Sequence, residues 1–568
     1  MQLSAEQRLA IEYIDGPQII LAGPGSGKTL VIVEKAAYLV EKVGLDPGHI
    51  LVLTYSNNTA DELNTRLQKR ERDKPLPQAH TFHSFGQKII EKRFDCLGYK
   101  EPPRVLSDYR KYMLLRQAYF ETAEVPIGLS NPDSIIYLLK DFVSRSCDEL
   151  IGPEKLRGFI EKKELYLASI TNGDQLADER EQLDDLKFAT RFYEIYNQKK
   201  LGDNFIDFED MLFGLYRVFK ENPDVLKAER HRLKYILVDE FQDANSGQVA
   251  ILALLGEKTE KICVVGDDDQ SIYRFRGASY GSFVNFKRVF PNAVTHTLTV
   301  NYRGTPQIVA ASQVLISHKT QDRFDPNKEL KSGRKSGPKI GAFISTDVNS
   351  EAQSIVSLIK SLFDKNVKPR DIAVISRVHD HRKQVYEALT KADIPVVEQK
   401  PFSIFSIHDV QIVFSLIRGA FLDEEAGWIF PILFRYCSDF NPGQYSQIRE
   451  NLDKLSPYEL LTELEGITEI SSLSQSGLKS AMDIINSIKE LIPDGSASKL
   501  VEKAFELSGL LSKVVAIDEN SNRVAKALSQ LWQAANDFEE NEQGDIHDFL
   551  NYLKWAEKTG TITLEQSR

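Results

Sequence analysis

Short apolar runs at Ile19–Leu21, Ile50–Leu53, Ile236–Val238 and Ile262–Val265 punctuate the first half of the chain. Each is too brief for a helix and gives way to glycine or polar residues, so each reads as a buried strand. Between them lie helical patterns such as LVIVEKAAYLV at 30–40. Strands without polar alternation, separated by amphipathic helices, predict a parallel α/β sheet covered on both faces. A ligand site is then expected at the C-terminal strand ends. From about Glu91 to Lys200 the pattern is long, polar and helical. From about Ile412 to Glu557 it turns helical and acidic, with amphipathic segments KLVEKAFELSGLLSKVV and VAKALSQLWQAANDF. No internal repeat or low-complexity tract interrupts it.

The first strand runs into IILAGPGSGKT (19–29), an apolar segment, a glycine-rich turn and then Lys-Thr opening a helix. That context is what a phosphate-binding loop requires. Ala22, Gly23, Pro24, Gly25, Ser26 and Gly27 form the loop, whose glycines let backbone N–H groups face phosphate oxygens at a helix N-terminus. Lys28 would reach the β and γ phosphates of ATP, and the Thr29 hydroxyl would ligate Mg²⁺. Ala22 stands where the loop pattern has its first glycine. The third strand ends in two acids, in KYILVDEFQD (234–243). Asp239 suits a Mg²⁺ ligand, and Glu240 suits the base that activates water. The fourth strand opens VVGDDDQSIYRFRGA (264–278), whose three acids could be a metal site, a charged turn or a strip touching two ligands.

With 568 residues, the chain should divide into three or four domains. Its formal charge of −11 argues against coating duplex DNA through general basicity. Any nucleic-acid contact should be a local groove that relies on stacking. Four dispersed cysteines without a CxxC pair speak against zinc ribbons, iron–sulfur clusters and disulfides, and suit a cytoplasmic location. No apolar stretch is long enough to cross a membrane, AGWIFPILF being the best candidate, and the N-terminus does not read as a signal peptide.

Taken with VVGDDDQSIYRFRGA, these motifs make the chain resemble the UvrD/Rep/PcrA group of superfamily 1 DNA helicases, in family order from Leu3 to about Val410. LSAEQRLAI is similar to the group's Q-motif, where Gln7 reads the adenine. LVLTYSNNTADEL resembles motif Ia, which implies DNA contacts at Tyr55 and Asn57, with Asn58 in place of the group's lysine. AHTFHSF resembles motif Ib, with His83 at a DNA-contact position, and DFEDML matches the segment preceding motif II. LTVNYRGTPQI (298–308) resembles motif IV, where Tyr302 stacks on the adenine and Arg303 touches the γ phosphate. The resemblance makes Gln270 the γ-phosphate sensor and Tyr273 and Phe275 base-stacking residues, Phe275 standing where the group more often has Trp. Asp267–Asp269 then read as acids that orient the turn and pair with Arg274 or Arg276, since Thr29 and Asp239 already supply the usual protein ligands of Mg²⁺. The basic run KELKSGRKSGPK (328–339) reads as a solvated loop.

The resemblance implies two RecA-like parallel-sheet motor domains, each with a mainly helical insertion. Residues 1–90 and 200–290 would form the first motor domain and 91–199 its insertion. Residues 291–411 would form part of the second, with strands at Lys339–Ile344 and Ile372–Ile375. Residues 412–557 would be its insertion, and 558–568 the start of the return. Neither T-x-H-x-x-K-G nor the motif carrying a second γ-phosphate arginine appears before TGTITLEQSR. The second motor domain is therefore expected to be incomplete, finished by a further C-terminal segment or a protein partner. The implied activity is ATP-dependent, 3′→5′ translocation on single-stranded DNA and at single-strand/duplex junctions, serving repair, replication or phage defence. Two alternatives are a nucleotide- and DNA-binding module with little turnover and the helicase part of a helicase–nuclease.

Overall fold

The computed structural model describes residues 3–71, 74–124, 132–169, 174–257, 261–271, 281–318, 323–397, 403–437, 439–452, 454–464, 468–510, 519–542 and 544–564. The chain divides into two compact units, Met1–Gly341 and Ala342–Arg568. Among the described residues no helix is long and apolar enough to cross a membrane.

The first unit is built on a six-stranded parallel sheet. Its strands are β1 (Gln18–Ala22), β2 (Ile50–Thr54), β3 (Ala79–Thr81), β6 (Tyr235–Val238), β7 (Ile262–Gly266) and β8 (Val294–Leu298), in the order β3-β2-β6-β7-β1-β8. Two short ribbons accompany it, β4 (Arg104–Val105) with β5 (Phe205–Ile206) and β9 (Val300–Asn301) with β10 (Lys331–Ser332).

Strand side chains alternate between two cores. Ile20, Val52, Leu237, Cys263 and Val265 face α1 (Ala5–Glu12), α2 (Lys28–Glu41) and α3 (Asn57–Arg70). Ile19, Leu51, Ile236, Ile262 and Val264 face the opposite layer. That layer contains α4 (Phe82–Lys92), α9 (Phe208–Glu221), α11 (Ser246–Gly256) and α12 (Ser282–Val289). Burial on both faces is why these strands read as unbroken apolar runs.

Helices α5 (Asp108–Ala123), α6 (Asp133–Asp148), α7 (Pro153–Ala168) and α8 (Asp174–Gly202) form a satellite with its own core around Leu114, Val143, Phe192 and Tyr196. Buried charges tie it to DFEDML. Lys200 lies 3.3 Å from Asp207 and 2.6 Å from Asp210, and the Tyr196 hydroxyl donates to Asp207 at 2.7 Å. Asp207 and Asp210 also close the capping box that starts α9.

In the second unit α14 (Val348–Phe363) packs on α15 (His379–Lys391) around Val356, Ile359 and Leu389. The strands expected at Lys339–Ile344 and Ile372–Ile375 are not formed. Among the described residues no backbone ladder reaches either segment, and Ile344 and Ile375 are exposed. A strand without a neighbour has nothing to satisfy its N–H and C=O groups except water. The rest is a helical bundle around α16 (His408–Ala420), which is buried from Ile412 to Ala420 and packed by Trp428 and the helix Ser472–Lys489. Ile404 N–H donates to the Ile562 carbonyl at 3.0 Å, so the two ends of this helical segment lie side by side.

Candidate functional site

The loop after β1 turns through two left-handed glycines, Gly25 at φ 71° and Gly27 at φ 90°, before Lys28 begins α2. A side chain at Gly27 would be strained there and would strike the Gln7 amide. Ser26 folds back on its own loop, its hydroxyl donating to the Gly23 carbonyl at 2.7 Å.

Three other segments enclose this loop. Gln7 sits in a capping box with Ser4 at the start of α1, and its Nε2 donates to the Ser26 carbonyl at 3.0 Å. Its carboxamide keeps a second N–H and a second lone pair for a ligand. The helix is secured from behind by Lys35 of α2. This buried ammonium donates to the carbonyls of Ala10 (2.9 Å), Ile11 (3.3 Å) and Tyr13 (2.6 Å) at the C-terminal end of α1. Burial lowers the Lys35 pKa to about 8. On the other side, Tyr302 N–H donates to the Gly25 carbonyl at 2.8 Å and Asn301 Nδ2 to the Pro24 carbonyl at 2.6 Å. Asn301 Oδ1 accepts from the backbone of Arg303 (2.8 Å) and Gly304 (2.7 Å), which fixes the turn carrying Tyr302 and Arg303. Both side chains are exposed beside the loop.

Strand β6 delivers the acids. Asp239 is buried, and burial followed by the charge of Glu240 pushes its carboxyl up to about 7, with Lys28 pulling the other way. Glu240 takes a left-handed backbone, φ 49° and ψ 41°. That is uncommon for a residue with a Cβ and turns the chain abruptly at the strand end. Its carboxylate lies 3.2 Å from Lys28 Nζ and accepts from Gln242 Nε2 at 2.7 Å. The Gln242 Oε1 accepts from Asp267 N–H at 2.9 Å, and Asp267 Oδ2 accepts from Gln270 Nε2 at 2.6 Å. Lys28, Glu240 and Gln270 are thus joined through Gln242, which no motif pointed to, and Asp267, expected only to orient the turn.

Among the described residues, the aspartates of 267–269 have cationic partners the sequence did not point to. Lys328 Nζ lies 2.7, 2.5 and 3.0 Å from Asp267, Asp268 and Asp269, and Arg323 Nε lies 2.9 Å from Asp269. Lys328, placed in a solvated loop by its basic neighbours, is buried, whereas Lys331, Gly333, Arg334 and Lys335 of the same run are exposed. Two buried carboxylates and a half-buried third demand cations, and that demand reaches a lysine sixty positions away. Arg274 and Arg276 lie outside the described residues, as do Tyr273 and Phe275.

A hard cation suits the oxygens at Thr29 and Asp239, because a buried carboxylate held near 7 by burial and a second acid is relieved by divalent charge. The expected DNA contacts share the C-terminal edge of the sheet. Tyr55 follows β2, Asn57 begins α3, and His83 lies in the first turn of α4 just after β3. Asn57 is exposed; His83 is half-buried, edge-on to Phe208 at 6.0 Å, and burial lowers its pKa. β6 and β7 separate this group from the phosphate loop.

Residues 3–291 match the family model for the UvrD/REP helicase N-terminal domain. The chain belongs to the UvrD/REP helicase family. Residues 296–427 match the UvrD-like helicase C-terminal domain. Similar proteins include a probable DNA helicase II homolog of Mycoplasma capricolum, 32% identical over 400 residues that make up 69% of this chain and 51% of that protein. The ATP-dependent DNA helicase Rep of Buchnera aphidicola is 30% identical over 74% of this chain and 61% of its own. PcrA of Staphylococcus epidermidis is 24% identical over 97% of this chain and 72% of its own length. Against the first two, the chain spans between half and two thirds of the relative's length.

Proposed function

We propose that the chain is a DNA-dependent ATPase that converts hydrolysis into 3′→5′ movement along single-stranded DNA and into duplex opening. The observation that supports this most is the bonded line from Lys28 through Glu240, Gln242 and Asp267 to Gln270, placed where a nucleotide would lie against the phosphate loop. In this reading ATP draws Lys28 onto its β and γ phosphates and frees Glu240 to accept the proton of the attacking water. Thr29 and Asp239 would hold Mg²⁺, which when bound neutralises charge on the phosphates. Gln7 and Tyr302 would hold the adenine, and Arg303 would stabilise charge on the γ phosphate. Tyr55, Asn57 and His83, with Tyr273 and Phe275, would line the DNA path, stacking supplying about 1–3 kcal/mol per base. A cytoplasmic location goes with such a substrate.

The test is steady-state ATPase with and without single-stranded DNA, alongside strand displacement on duplexes with a 3′ or a 5′ tail. The reading expects stimulation by DNA and opening from the 3′ tail. Intact ATP and DNA binding without stimulation would make the chain a binding module instead.

A further inference from the structure

Asp267, Asp268 and Asp269 could be taken for a metal site, since their ligand oxygens lie within 4.8 Å of one another. A cation of the protein's own already occupies the centre of the cluster. The Lys328 side chain is 1% exposed and contacts all three carboxylates. Burial pulls its pKa down, but Asp267 and Asp268 outweigh that and hold it above the ordinary lysine value, so it stays charged. Arg323 grips Asp269 with two nitrogens, Nε at 2.9 Å and Nη2 at 3.1 Å, and Phe324 N–H donates to Asp268 at 2.7 Å.

The segment bearing Lys328 does not end there. Leu330 packs on the phosphate loop, closely enough that a Cβ on Gly23 would lie 2.5 Å from its Cδ2. Lys331 and Ser332 then pair in parallel with Val300 and Asn301, and Asn301 holds Pro24. One short strap thus touches the phosphate loop, the turn carrying Arg303 and the carboxylate that holds Gln270.

We infer that Lys328 is a positioning residue for ATP hydrolysis, which sets Gln270 toward the γ phosphate by fixing the charge and orientation of Asp267. This rests on the ATPase reading above. Without the ammonium, the buried Asp267 carboxylate loses the cation it contacts, a charge that a buried site does not readily sustain. Asp267 then turns toward water, and the Gln270 amide loses its fixed acceptor. Nucleotide binding through the loop backbone does not depend on that step, whereas recognition of the third phosphate does.

The full-length chain tests this with Lys328→Met, Gln270→Ala and the double variant, read by ADP affinity, affinity for a non-hydrolysable ATP analogue, and DNA-stimulated kcat. Lys328→Met should keep ADP affinity within about threefold while losing about tenfold or more in kcat and the preference for the triphosphate, and the double variant should lose no more than either single one. A general loss of packing would weaken ADP binding and add to the Gln270→Ala loss. Additive losses, or an unchanged kcat, would overturn the inference. Should Lys328→Met not fold, the charge-balanced Asp268→Asn/Lys328→Gln pair is read the same way, and full kcat in that pair overturns it. A wild-type chain that hydrolyses no ATP would instead refute the ATPase reading itself.

Discussion

Lys28 and Glu240 meet at the C-terminal edge of the sheet, Nζ 3.2 Å from Oε2, the first opening α2 and the second lying two residues past the end of β6. The pair is a competition: the lysine that phosphates would claim is held by the carboxylate that water would need. Glu240→Gln should therefore keep ATP binding and lose about 10²–10⁴ in kcat, the range of a positioned general base. Lys28→Ala should lose turnover and weaken ATP binding as well. Wild-type kcat in Glu240→Gln would assign the base to another group.

Asn301 tests whether the turn carrying Tyr302 and Arg303 is held by its own side chain. It donates to Pro24 and accepts from two backbone N–H groups, so Asn301→Ala leaves a loop carbonyl and two donors without partners. The expected cost is about 1–3 kcal/mol of stability. Asn301→Asp keeps the acceptor but sets a carboxylate against the Pro24 carbonyl, and should weaken ATP binding more than Asn301→Ala does. Parallel melting and nucleotide titrations of the two variants decide it; equal ATP affinities would show that the Pro24 contact is not what matters.

Much of the first sheet was legible because its strands are buried on both faces, which turns Ile19–Leu21 and Ile236–Val238 into runs no surface element would carry. β3 and β8 were not, for opposite reasons. Ala79–Thr81 is only three residues long, and Val294–Leu298 is an edge strand whose VTHTL pattern is half polar. The phosphate loop and the acids after β6 were readable because their chemistry is local in sequence. Lys328 was not, because its role comes from aspartates 61 and 60 positions away, while its immediate neighbours Lys331 and Arg334 point to solvent. The acids themselves held the clue, since three carboxylates directly after a buried strand need a cation. The expected strands at 339–344 and 372–375 show the converse: an apolar pattern forms a strand only when another backbone is there to bond it.

Lys35 offers a stability test behind the nucleotide site. Three carbonyls at the end of α1 accept from its ammonium, so Lys35→Met takes that donor from Ile11 and Tyr13 and leaves Ala10 with Gln18 Nε2 alone, in an otherwise apolar layer. A loss of about 3 kcal/mol is expected, and with it a looser α1 and poorer adenine discrimination through Gln7. Because burial lowers the Lys35 pKa to about 8, the unfolded chain binds a proton that the fold does not between pH 8 and 10.5. The wild-type contribution therefore rises across that window, and the deficit of Lys35→Met should widen there in urea melts. A deficit that narrows would mean that the fold favours the charged ammonium and that burial does not lower the Lys35 pKa.

Asp148 makes the opposite case. It ends α6 and accepts at 2.5 Å from Nδ2 of Asn245, the residue whose side chain caps α11 shortly after Asp239 and Glu240. Burial, and then the charge of Glu209, push its carboxyl up to about 6 from an ordinary 3.8. Between those values the folded protein keeps a proton that the unfolded chain has released, so stability falls as pH rises through the window and stays lower above it. Asp148→Asn retains an acceptor for Asn245 and has no charge to bury. It should match the wild type near pH 4 and exceed it above pH 6, by about 1–2 kcal/mol once solvent screening of this half-buried group is allowed for. Urea melts of both proteins at about pH 4 and pH 7.5 check the sign. A variant less stable than wild type at the higher pH would mean that the Asp148 carboxylate, and not only its acceptor oxygen, is what holds the helical satellite to the strand-end acids.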